Sequence, residues 1–364
     1  MKSSLRHRAG RRLPPKSGEG TIASTAGASK ASERRLNTTL QQEQVIIIGA
    51  GPCGLAAAIE LRARGVDALI IEKENLVHSI SRYPTYMSFF STPEVLEIGG
   101  VPFTTAHEKP TRLEALNYYR TVALRAGVRI RAYEKVEAVV KQPDGFTLST
   151  RTRHGEERAY RCGSVVVATG YFDHPNRIGI PGEDLPKVSH FFREAHPYTG
   201  MDVAIIGGSN SAIDAALELE RAGAKVTVVY RKPDYSPSIK PWVLPGFDSL
   251  VRKERIRMLF HSRVTEIRAA SVVVRSESGE TSELPNDFVL ALTGFHPDRD
   301  FLRSMGVTIE PEGYPSFHSD TMESNVPGLY LAGVVASRHE ANEIFIETGR
   351  FHGVKIADHL LGRA

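Results

Sequence analysis

The sequence contains little cysteine, a single tryptophan and no long apolar run. Its 364 residues include two cysteines, Cys53 and Cys162. Two such distant cysteines form neither a disulfide framework nor a metal-binding cluster, so no metal site is expected. No segment approaches the ~18 consecutive apolar residues of a membrane-spanning helix. We therefore expect a protein of the reducing cytoplasm without a membrane partner.

Acidic residues are scarce near the N-terminus. Residues 1–43 contain nine Lys and Arg but three Asp and Glu, a net charge of +6, whereas the whole chain carries +4. This segment is rich in Ser, Thr, Gly and Ala and has no hydrophobic periodicity, which predicts a disordered basic extension. The absence of an apolar central run argues against a signal peptide. A dispensable extension is favoured over a nucleic-acid-binding arm or an organelle transit peptide.

From Val45 onward, short apolar runs alternate with helical segments, a pattern typical of α/β folds. The run "QVIIIGAG" predicts a buried strand, and "PCGLAAAIELRARG" predicts a helix with Pro52 in its first turn and Gly65 at its end. The segment "DVAIIGGSNSAIDAALELERAGAKVTVVYRK" repeats this strand–turn–helix–strand layout. The repeat predicts two Rossmann-like, three-layer nucleotide-binding domains.

The second unit interrupts the first. We predict a first nucleotide-binding domain formed by residues 44–180 and 295–364, with residues 181–294 inserted as the second. The closing segment "NVPGLYLAGVVASRHEANEIFIETGRFHGVKIADHLLG" predicts a strand, a loop and a final helix that complete the first domain.

The first unit carries the pattern Gly49-x-Gly51-x-x-Gly54 between a strand and a helix. Gly49 permits the tight turn, Gly51 lets the backbone approach a pyrophosphate, and Gly54 lets helix and strand pack closely. The helix that begins at Pro52 points its free N–H groups at the phosphates. Glu72, 23 residues after Gly49, can accept both ribose hydroxyls and would repel a 2′-phosphate. This unit therefore predicts FAD or NAD.

The second unit departs from that pattern in an informative way. Its turn places Ser209 where the second glycine belongs and Ala212 where the third belongs. The acid at the end of the next strand is replaced by Arg231, 24 residues after Gly207, and Lys232 follows it. A cation at this position accommodates a 2′-phosphate, so the second unit predicts NADPH.

Together the two units predict that NADPH reduces a bound FAD, as in flavin disulfide reductases and flavin monooxygenases. The segment "VVVATG" resembles the strand that leaves the FAD domain of such enzymes, and "TMESNVPGLYLAGVV" resembles their second FAD signature. That signature usually has an aspartate after its glycine, whereas Val334 follows Gly333 here. One hydrogen bond to FAD is therefore not expected.

The predicted cofactor-binding residues all belong to these motifs. They are Gly49, Gly51, Pro52, Gly54, Glu72, Lys73, Thr169, Gly170 and Gly333 for FAD, and Gly207, Ser209, Asn210, Ser211, Ala212, Arg231 and Lys232 for NADPH.

The electron acceptor is the open question. Thioredoxin reductases carry a Cys-x-x-Cys pair in the NADPH domain, but residues 181–300 contain no cysteine, which excludes that route. A flavin monooxygenase needs no cysteine and remains an alternative, although the aromatic-x-Gly start of its fingerprint is missing before His190. A non-catalytic flavin redox sensor or electron carrier, docking through the basic extension, is the other alternative.

Five segments narrow the choice: "GAGPCGL", "YPTYMSFFSTPEVLEIGGVPF", "HPYTGMDVAIIGGSNSAIDAALELERAGA", "SIKPWVLPGFDSLV" and "NEIFIETGRFHG". Together they resemble the bacillithiol-disulfide reductase family, often called YpdA, across residues 44–364. The resemblance implies FAD and NADPH as cofactors and the disulfide of bacillithiol, a small thiol that carries malate, as substrate. It also implies that Cys53, the cysteine of the glycine motif, is the catalytic thiol. Enzymes of this class commonly form homo-oligomers.

The position of Cys53 has its own electrostatics. A helix N-terminus lowers the pKa of a thiol, and Cys53 lies in the first turn. The FAD pyrophosphate opposes this effect with its negative charge. A small apolar residue that merely fills space is the alternative reading. Cys162 is predicted to be a packing residue.

An anionic substrate would require cations at the site. The candidates are Arg112, Lys240, Arg338 and His339. Trp242 is predicted to pack against protein rather than stack on a ligand, Arg350 and His352 to lie near the flavin, and Glu347 to cap a helix.

Overall fold

The computed structural model describes residues 40–337 and 343–362. The predicted N-terminal extension therefore lies outside the described residues, except at its end. The first strand begins at Gln41, and its residues 41–43 pair in register with residues 160–162. The extension therefore ends before residue 43, where the sequence placed its boundary. Arg129 also holds Glu43 through two hydrogen bonds of 2.7 and 2.8 Å.

The strands alternate with helices through most of the chain. The strands are β1 (Gln41–Ile48), β2 (Leu69–Glu72), β3 (Arg129–Ala132), β4 (Glu134–Gln142), β5 (Gly145–Thr152), β6 (Glu157–Val167), β7 (Val188–Ser189), β8 (Asp202–Ile206), β9 (Lys225–Val229), β10 (Ile256–Leu259), β11 (Ser262–Ile267), β12 (Ser271–Ser276), β13 (Thr281–Pro285), β14 (Phe288–Ala291) and β15 (Leu329–Leu331). The helices are α1 (Pro52–Ala63), α2 (His78–Ser81), α3 (Pro93–Leu96), α4 (Arg112–Ala126), α5 (Asn210–Arg221), α6 (Leu244–Arg252), α7 (Arg299–Ser304), α8 (Ile346–Gly349) and α9 (His352–Leu360). Short 3₁₀ turns span His196–Tyr198 and Gly333–Ala336.

The first sheet has the strand order β3-β2-β1-β6-β5-β4, with β15 also paired to β6. Strands β1, β2, β3, β6 and β15 run parallel, whereas β4, β5 and β6 form an antiparallel meander. The central residues Val45–Ile48 are all buried, as expected for a parallel strand covered on both faces. Helix α1 packs against α9 on this sheet.

The second sheet has the order β10-β9-β8-β14-β7 and is parallel throughout. Its strands lie between β6 and β15 in the chain, so the second unit is inserted in the first, and the predicted α/β fold with two Rossmann-like units is confirmed. A third, antiparallel sheet of β11, β12 and β13 accompanies it. The exact boundaries at residues 180 and 294 remain a prediction.

Two segments of the chain, around residues 175 and 295, connect the two units. They run side by side: the amide N–H of Asn176 donates to Gly294 O at 2.9 Å, and Pro175 and Phe295 form an isolated bridge. The aromatic rings of Tyr83, Phe172, Phe191 and Phe295 pack against one another beside these segments. Among the described residues, no helix combines the length and apolar character needed to cross a membrane.

Candidate active site

The turn between β1 and α1 is shaped by its three glycines. Gly49 has a φ of +109°, and a Cβ there would come within 2.5 Å of the carbonyl oxygen of Ala168. A Cβ on Gly54 would overlap the carbonyl oxygen of Gly49. A Cβ on Gly51, by contrast, would meet no atom within 4 Å, and this residue faces the cavity. Two glycines thus serve packing, and one leaves room for a ligand.

Glu72 closes the same turn from the end of β2. Its Oε2 accepts the amide N–H of Ala50 at 2.8 Å, and its Oε1 accepts that of Glu74 at 2.9 Å. The carboxylate is therefore fixed beside the glycine turn while it lines the cavity. A carboxylate has about four acceptor sites, so two remain for ribose hydroxyls.

Residues that follow β6 and β15, beside this turn, also fit a bound dinucleotide. Thr169 lines the cavity, and its buried hydroxyl has no hydrogen-bond partner among the described residues. Buried polar atoms are normally satisfied, so this hydroxyl fits a bound polar group. Gly170 and Gly333 also line the cavity with φ values of +71° and +77°. These residues fit the predicted FAD.

Lys73 is engaged elsewhere. Its Nζ lies 2.8 Å from Asp173 Oδ2, and Arg82 binds the other oxygen of Asp173 at 2.7 Å. This pairing ties the end of β2 to the connecting segment around residue 175. A direct contact between Lys73 and FAD stays a prediction.

The turn between β8 and α5 repeats the architecture with different chemistry. Gly207 has a φ of +141°, and a side chain on Gly208 would overlap the ring of Tyr230. Ser209 precedes α5 in an extended conformation, and its hydroxyl lies 3.5 Å from that of Ser236. Ala212 is buried and does not line the large cavity, as a packing position requires.

Asn210 holds a neighbouring loop. Its Nδ2 donates to Ser238 O at 2.7 Å, and its Oδ1 accepts the amide N–H of Lys240 at 3.0 Å. The loop from Ser236 to Lys240 therefore covers the start of α5. Ser211, which is exposed, lines the cavity beside it.

Arg231 and Lys232 follow β9 and line the same cavity. Both side chains are exposed, and neither makes an ion pair within the described part of the chain. The backbone around them is fixed, because Ser262 N–H donates to Tyr230 O and His261 N–H donates to Lys232 O, each at 3.1 Å.

One cavity of about 2650 Å³ connects the two turns. This volume exceeds the ~300–1,000 Å³ of an ordinary small-molecule pocket, so it can hold more than one ligand. All predicted cofactor residues line it except Gly54 and Ala212, the two positions that pack helix against strand.

Cys53 lies at the point where the FAD-side elements converge. Its half-buried side chain lies against two glycines: a Cβ on Gly333 would come 2.9 Å from Sγ, and one on Gly349 would come 2.8 Å from it. Side chains at either glycine would push the thiol aside. Among the described residues Cys53 is the cysteine that lines the cavity, since Cys162 is buried in β6.

The pKa of the Cys53 thiol is shifted in the direction opposite to the one that its helix position predicts. Burial raises the pKa of Cys53 to about 12, and the carboxylate of Glu347 adds to the increase. The stabilising effect of the α1 N-terminus on a thiolate is thus outweighed. This shift favours the protonated thiol over the thiolate.

Glu347 does not cap its own helix through its carboxylate. Instead it accepts a hydrogen bond from the hydroxyl of Ser91, which lies 256 positions away in the sequence. Both residues line the cavity with Cys53. The sequence alone offers no periodicity that could have joined Ser91 to Glu347.

Arg350 and His352 position the final helices. Arg350 donates to the carbonyl oxygens of Glu94 at 2.9 Å and Glu97 at 2.6 Å. The amide N–H of Gly333 donates to His352 Nδ1 at 3.1 Å. Burial lowers the pKa of His352 to about 4, so the imidazole stays neutral and can accept this bond. Neither side chain lines the large cavity.

The remaining candidates separate clearly. Arg112 donates to Ser81 O at 2.8 Å and does not line the large cavity, so it serves the fold, whereas Lys240 lines that cavity. Trp242 is 57% exposed and packs beneath the ammonium of Lys109, which lies 3.7 Å from the ring centre. That it packs rather than stacks on a ligand stays a prediction. Arg338 and His339 lie outside the described residues.

Comparisons with known proteins agree with this site. The family described as pyridine nucleotide-disulphide oxidoreductase matches residues 46–333. Bacilliredoxin reductase Bdr of Bacillus subtilis (strain 168) is 53% identical over 324 residues, 88% of this chain and 98% of that protein. The solved structure of bacillithiol disulfide reductase Bdr (YpdA) from Bacillus cereus shares 51% identity at a TM-score of 0.87, covering 89% of this chain and all of that one. Its counterpart from Staphylococcus aureus shares 49% identity at a TM-score of 0.85, covering 89% and 99%.

Proposed function

Because the chain belongs to the pyridine nucleotide-disulphide oxidoreductase family, we propose that it reduces bacillithiol disulfide to two thiols through Cys53. The protein is an NAD(P)H-dependent oxidoreductase that uses FAD. The similarity to bacillithiol disulfide reductases noted in the sequence is confirmed. The substrate and the residue roles are the proposal.

The cofactor residues divide by charge. Gly51, Thr169 and Glu72 hold FAD, since they combine an open backbone, an unpartnered hydroxyl and a fixed carboxylate. Arg231 and Lys232 favour NADPH over NADH because they are exposed and, within the described residues, make no ion pair that would neutralise their positive charge. When bound, FAD transfers the two electrons of NADPH to the disulfide site.

The observation that carries the proposal is the position of the Cys53 thiol. It opens into the cavity between Gly333 and Gly349, and the other cysteine, Cys162, is buried and does not line this cavity. A disulfide that enters the cavity therefore meets one thiol of this chain.

The chemistry follows from thiol–disulfide exchange. Cys53 loses its proton, its sulfur bonds to one sulfur of the substrate, and the substrate S–S bond breaks to release the first thiol. The departing thiolate takes up a proton, and Cys53 is left in a mixed disulfide with the other half of the substrate. The two electrons of NADPH, which a bound FAD would pass on, would then cleave this mixed disulfide, release the second thiol with a second proton and restore the Cys53 thiol. Overall, one disulfide, one NADPH and one proton give two thiols and NADP⁺.

The raised pKa of Cys53 makes proton removal the critical event. Glu347 is the carboxylate that interacts with the thiol, and Ser91 fixes its orientation. This carboxylate can accept the proton of Cys53 and return it to the departing thiolate. The thiol thus stays slow to react until the proton passes to this carboxylate.

Positive charge near the cavity suits a substrate that carries malate. Lys240 lines the cavity with its ammonium 5.3 Å from the ring centre of Phe90, and Lys109 lies over Trp242. The rings of Phe90 and Trp242 pack edge to face, with their centres 6.3 Å apart. Carboxylates of the substrate can pair with these two lysines.

We further propose that the protein forms a homo-oligomer and works in the cytoplasm.

A half-reaction titration tests the proposed substrate. The FAD-loaded protein is reduced anaerobically with NADPH and then mixed with bacillithiol disulfide, glutathione disulfide or cystine while flavin absorbance is followed. We expect stoichiometric reoxidation by bacillithiol disulfide at a rate about tenfold or more above the other two disulfides, a difference of ~1.4 kcal/mol. Equal rates, or no reoxidation by bacillithiol disulfide, would contradict the proposal.

The name of the Bacillus subtilis relative motivates one further arm of the titration. A bacilliredoxin that carries a mixed disulfide with bacillithiol is added as a protein substrate. Faster reoxidation of the flavin by this protein than by bacillithiol disulfide would show that the substrate is a protein disulfide and not a small-molecule one. Oxygen consumption that matches NADPH oxidation, with a stable oxygen adduct in the spectrum, would favour a monooxygenase instead.

A further inference from the structure

Two arginines face each other at one end of the small third sheet. Arg263 of β11 and Arg275 of β12 are directly opposite in the antiparallel pairing. Opposite residues of such a pair project from the same face of the sheet. Both side chains are exposed, and neither makes an ion pair or a side-chain hydrogen bond within residues 40–337 and 343–362.

This arrangement is unfavourable on its own. Like charges directly opposite in a sheet are destabilising. Elsewhere in the same sheet the charge is balanced, because Arg268 binds Glu266 at 2.9 Å and Glu283 at 2.7 Å. Glu277, two residues after Arg275, is paired with His261 at 2.6 Å. Within the described part of the chain, the pair of arginines therefore lacks a counter-ion.

The fold places this pair beside the end of β9. Ser262, the neighbour of Arg263, donates its amide N–H to Tyr230 O, and His261 donates to Lys232 O, so β11 begins alongside Arg231. Arg231, Arg263 and Arg275 all line the large cavity. Three arginines without an acidic partner among the described residues thus lie on neighbouring strand ends that line the cavity.

We propose that Arg263 and Arg275 join Arg231 in binding the 2′-phosphate of NADPH and so determine the preference for NADPH over NADH. The inference rests on NADPH as the proposed reductant. A phosphate monoester carries nearly two negative charges and three acceptor oxygens at neutral pH, and planar guanidinium groups bind such oxygens in pairs. The phosphate supplies the counter-ion that the two opposed arginines lack.

The test compares two nucleotides that differ only in this phosphate. Isothermal titration calorimetry measures the Kd of 2′,5′-ADP and of 5′-AMP for the FAD-loaded protein and for the variant R263Q/R275Q. We expect the variant to bind 2′,5′-ADP about tenfold or more weakly, since charge-assisted hydrogen bonds are removed, and to bind 5′-AMP within about twofold of wild type.

Two control variants sharpen the result. Arg257→Gln removes an equally exposed arginine from β10, outside the cavity, and should change neither Kd. R263K/R275K keeps the charge and should retain most of the affinity for 2′,5′-ADP. Unchanged binding of 2′,5′-ADP by R263Q/R275Q, or an equal loss for both nucleotides, would overturn the proposal. Neither measurement involves a disulfide, so failure here is distinguishable from failure of the proposed substrate.

Discussion

At the scale of single residues, Cys53 experiences opposing effects. The N-terminus of α1 favours its thiolate, whereas burial and the Glu347 carboxylate favour the thiol and raise its pKa to about 12. A protonated thiol reacts slowly with oxidants, because the thiolate is the reactive form. A raised pKa would therefore keep the proposed nucleophile intact until a disulfide binds.

Replacing Glu347 with Gln should make Cys53 more reactive toward a neutral alkylating reagent. Removal of the negative charge lowers the pKa of the thiol, so the thiolate fraction at a given pH rises roughly threefold for each half unit of that decrease. Iodoacetamide labelling between pH 7 and 10, read on the Cys53 peptide by mass spectrometry, measures the change. Turnover with disulfide should fall in the same variant, because the proton acceptor is lost.

Glu312→Gln is the matched control for this experiment, since Glu312 is an exposed carboxylate that lines the same cavity. Its labelling profile should match that of wild type. If the pH profile of Cys53 labelling in Glu347→Gln equals that of wild type or moves to higher pH, Glu347 does not raise the pKa of the thiol.

At the scale of elements, the turn between β1 and α1 separates packing from binding. A side chain at Gly54 would overlap the carbonyl oxygen of Gly49, whereas the space around Gly51 is open. Gly51 also has an ordinary φ of −73°. The two glycines should therefore respond differently to the same substitution.

Gly54→Ala should lower the free energy of unfolding of the FAD-free protein by roughly 1–3 kcal/mol, the usual cost of overpacking. Gly51→Ala should leave that stability nearly unchanged but weaken FAD binding, because a methyl group blocks approach of the pyrophosphate. Urea denaturation and FAD titration measure the two effects. The interpretation is wrong if Gly54→Ala is as stable as wild type or if Gly51→Ala binds FAD normally.

Local sequence patterns predicted these elements well. The apolar run before Gly49, the acid at Glu72 and the cations at Arg231 and Lys232 each depend on chain neighbours, and the fold places them at the turns as expected. Contacts between distant segments were not accessible. The bond from Ser91 to Glu347 is one case, and the exposed stacking of Trp242 beneath Lys109 is another. No periodicity in a single segment encodes such pairs.

At the scale of the whole molecule, two sheets share one cavity, and the single tryptophan reports on their contact. Trp242 belongs to the chain that follows β9, whereas Phe90 and Lys109 lie between β2 and β3 of the first sheet. These contacts join the parts of the molecule on the two sides of the cavity.

Phe90→Ala should increase the solvent exposure of Trp242, because the aromatic ring that packs against it is lost. We expect a longer emission wavelength and stronger acrylamide quenching of the intrinsic fluorescence. Tyr86→Ala removes another exposed aromatic ring of the cavity wall and is the matched control. Identical quenching of Phe90→Ala and wild type would exclude the contact in solution.

The central claim is that Cys53 performs the disulfide chemistry, and stopped-flow comparison of Cys53→Ala with Cys162→Ser tests it most directly. Cys53→Ala should bind FAD and accept electrons from NADPH within about twofold of wild type, while its reoxidation by bacillithiol disulfide falls about 100-fold or more, as expected on loss of a nucleophile. Cys162→Ser should keep both steps. Reoxidation of Cys53→Ala by bacillithiol disulfide at the wild-type rate would contradict the account.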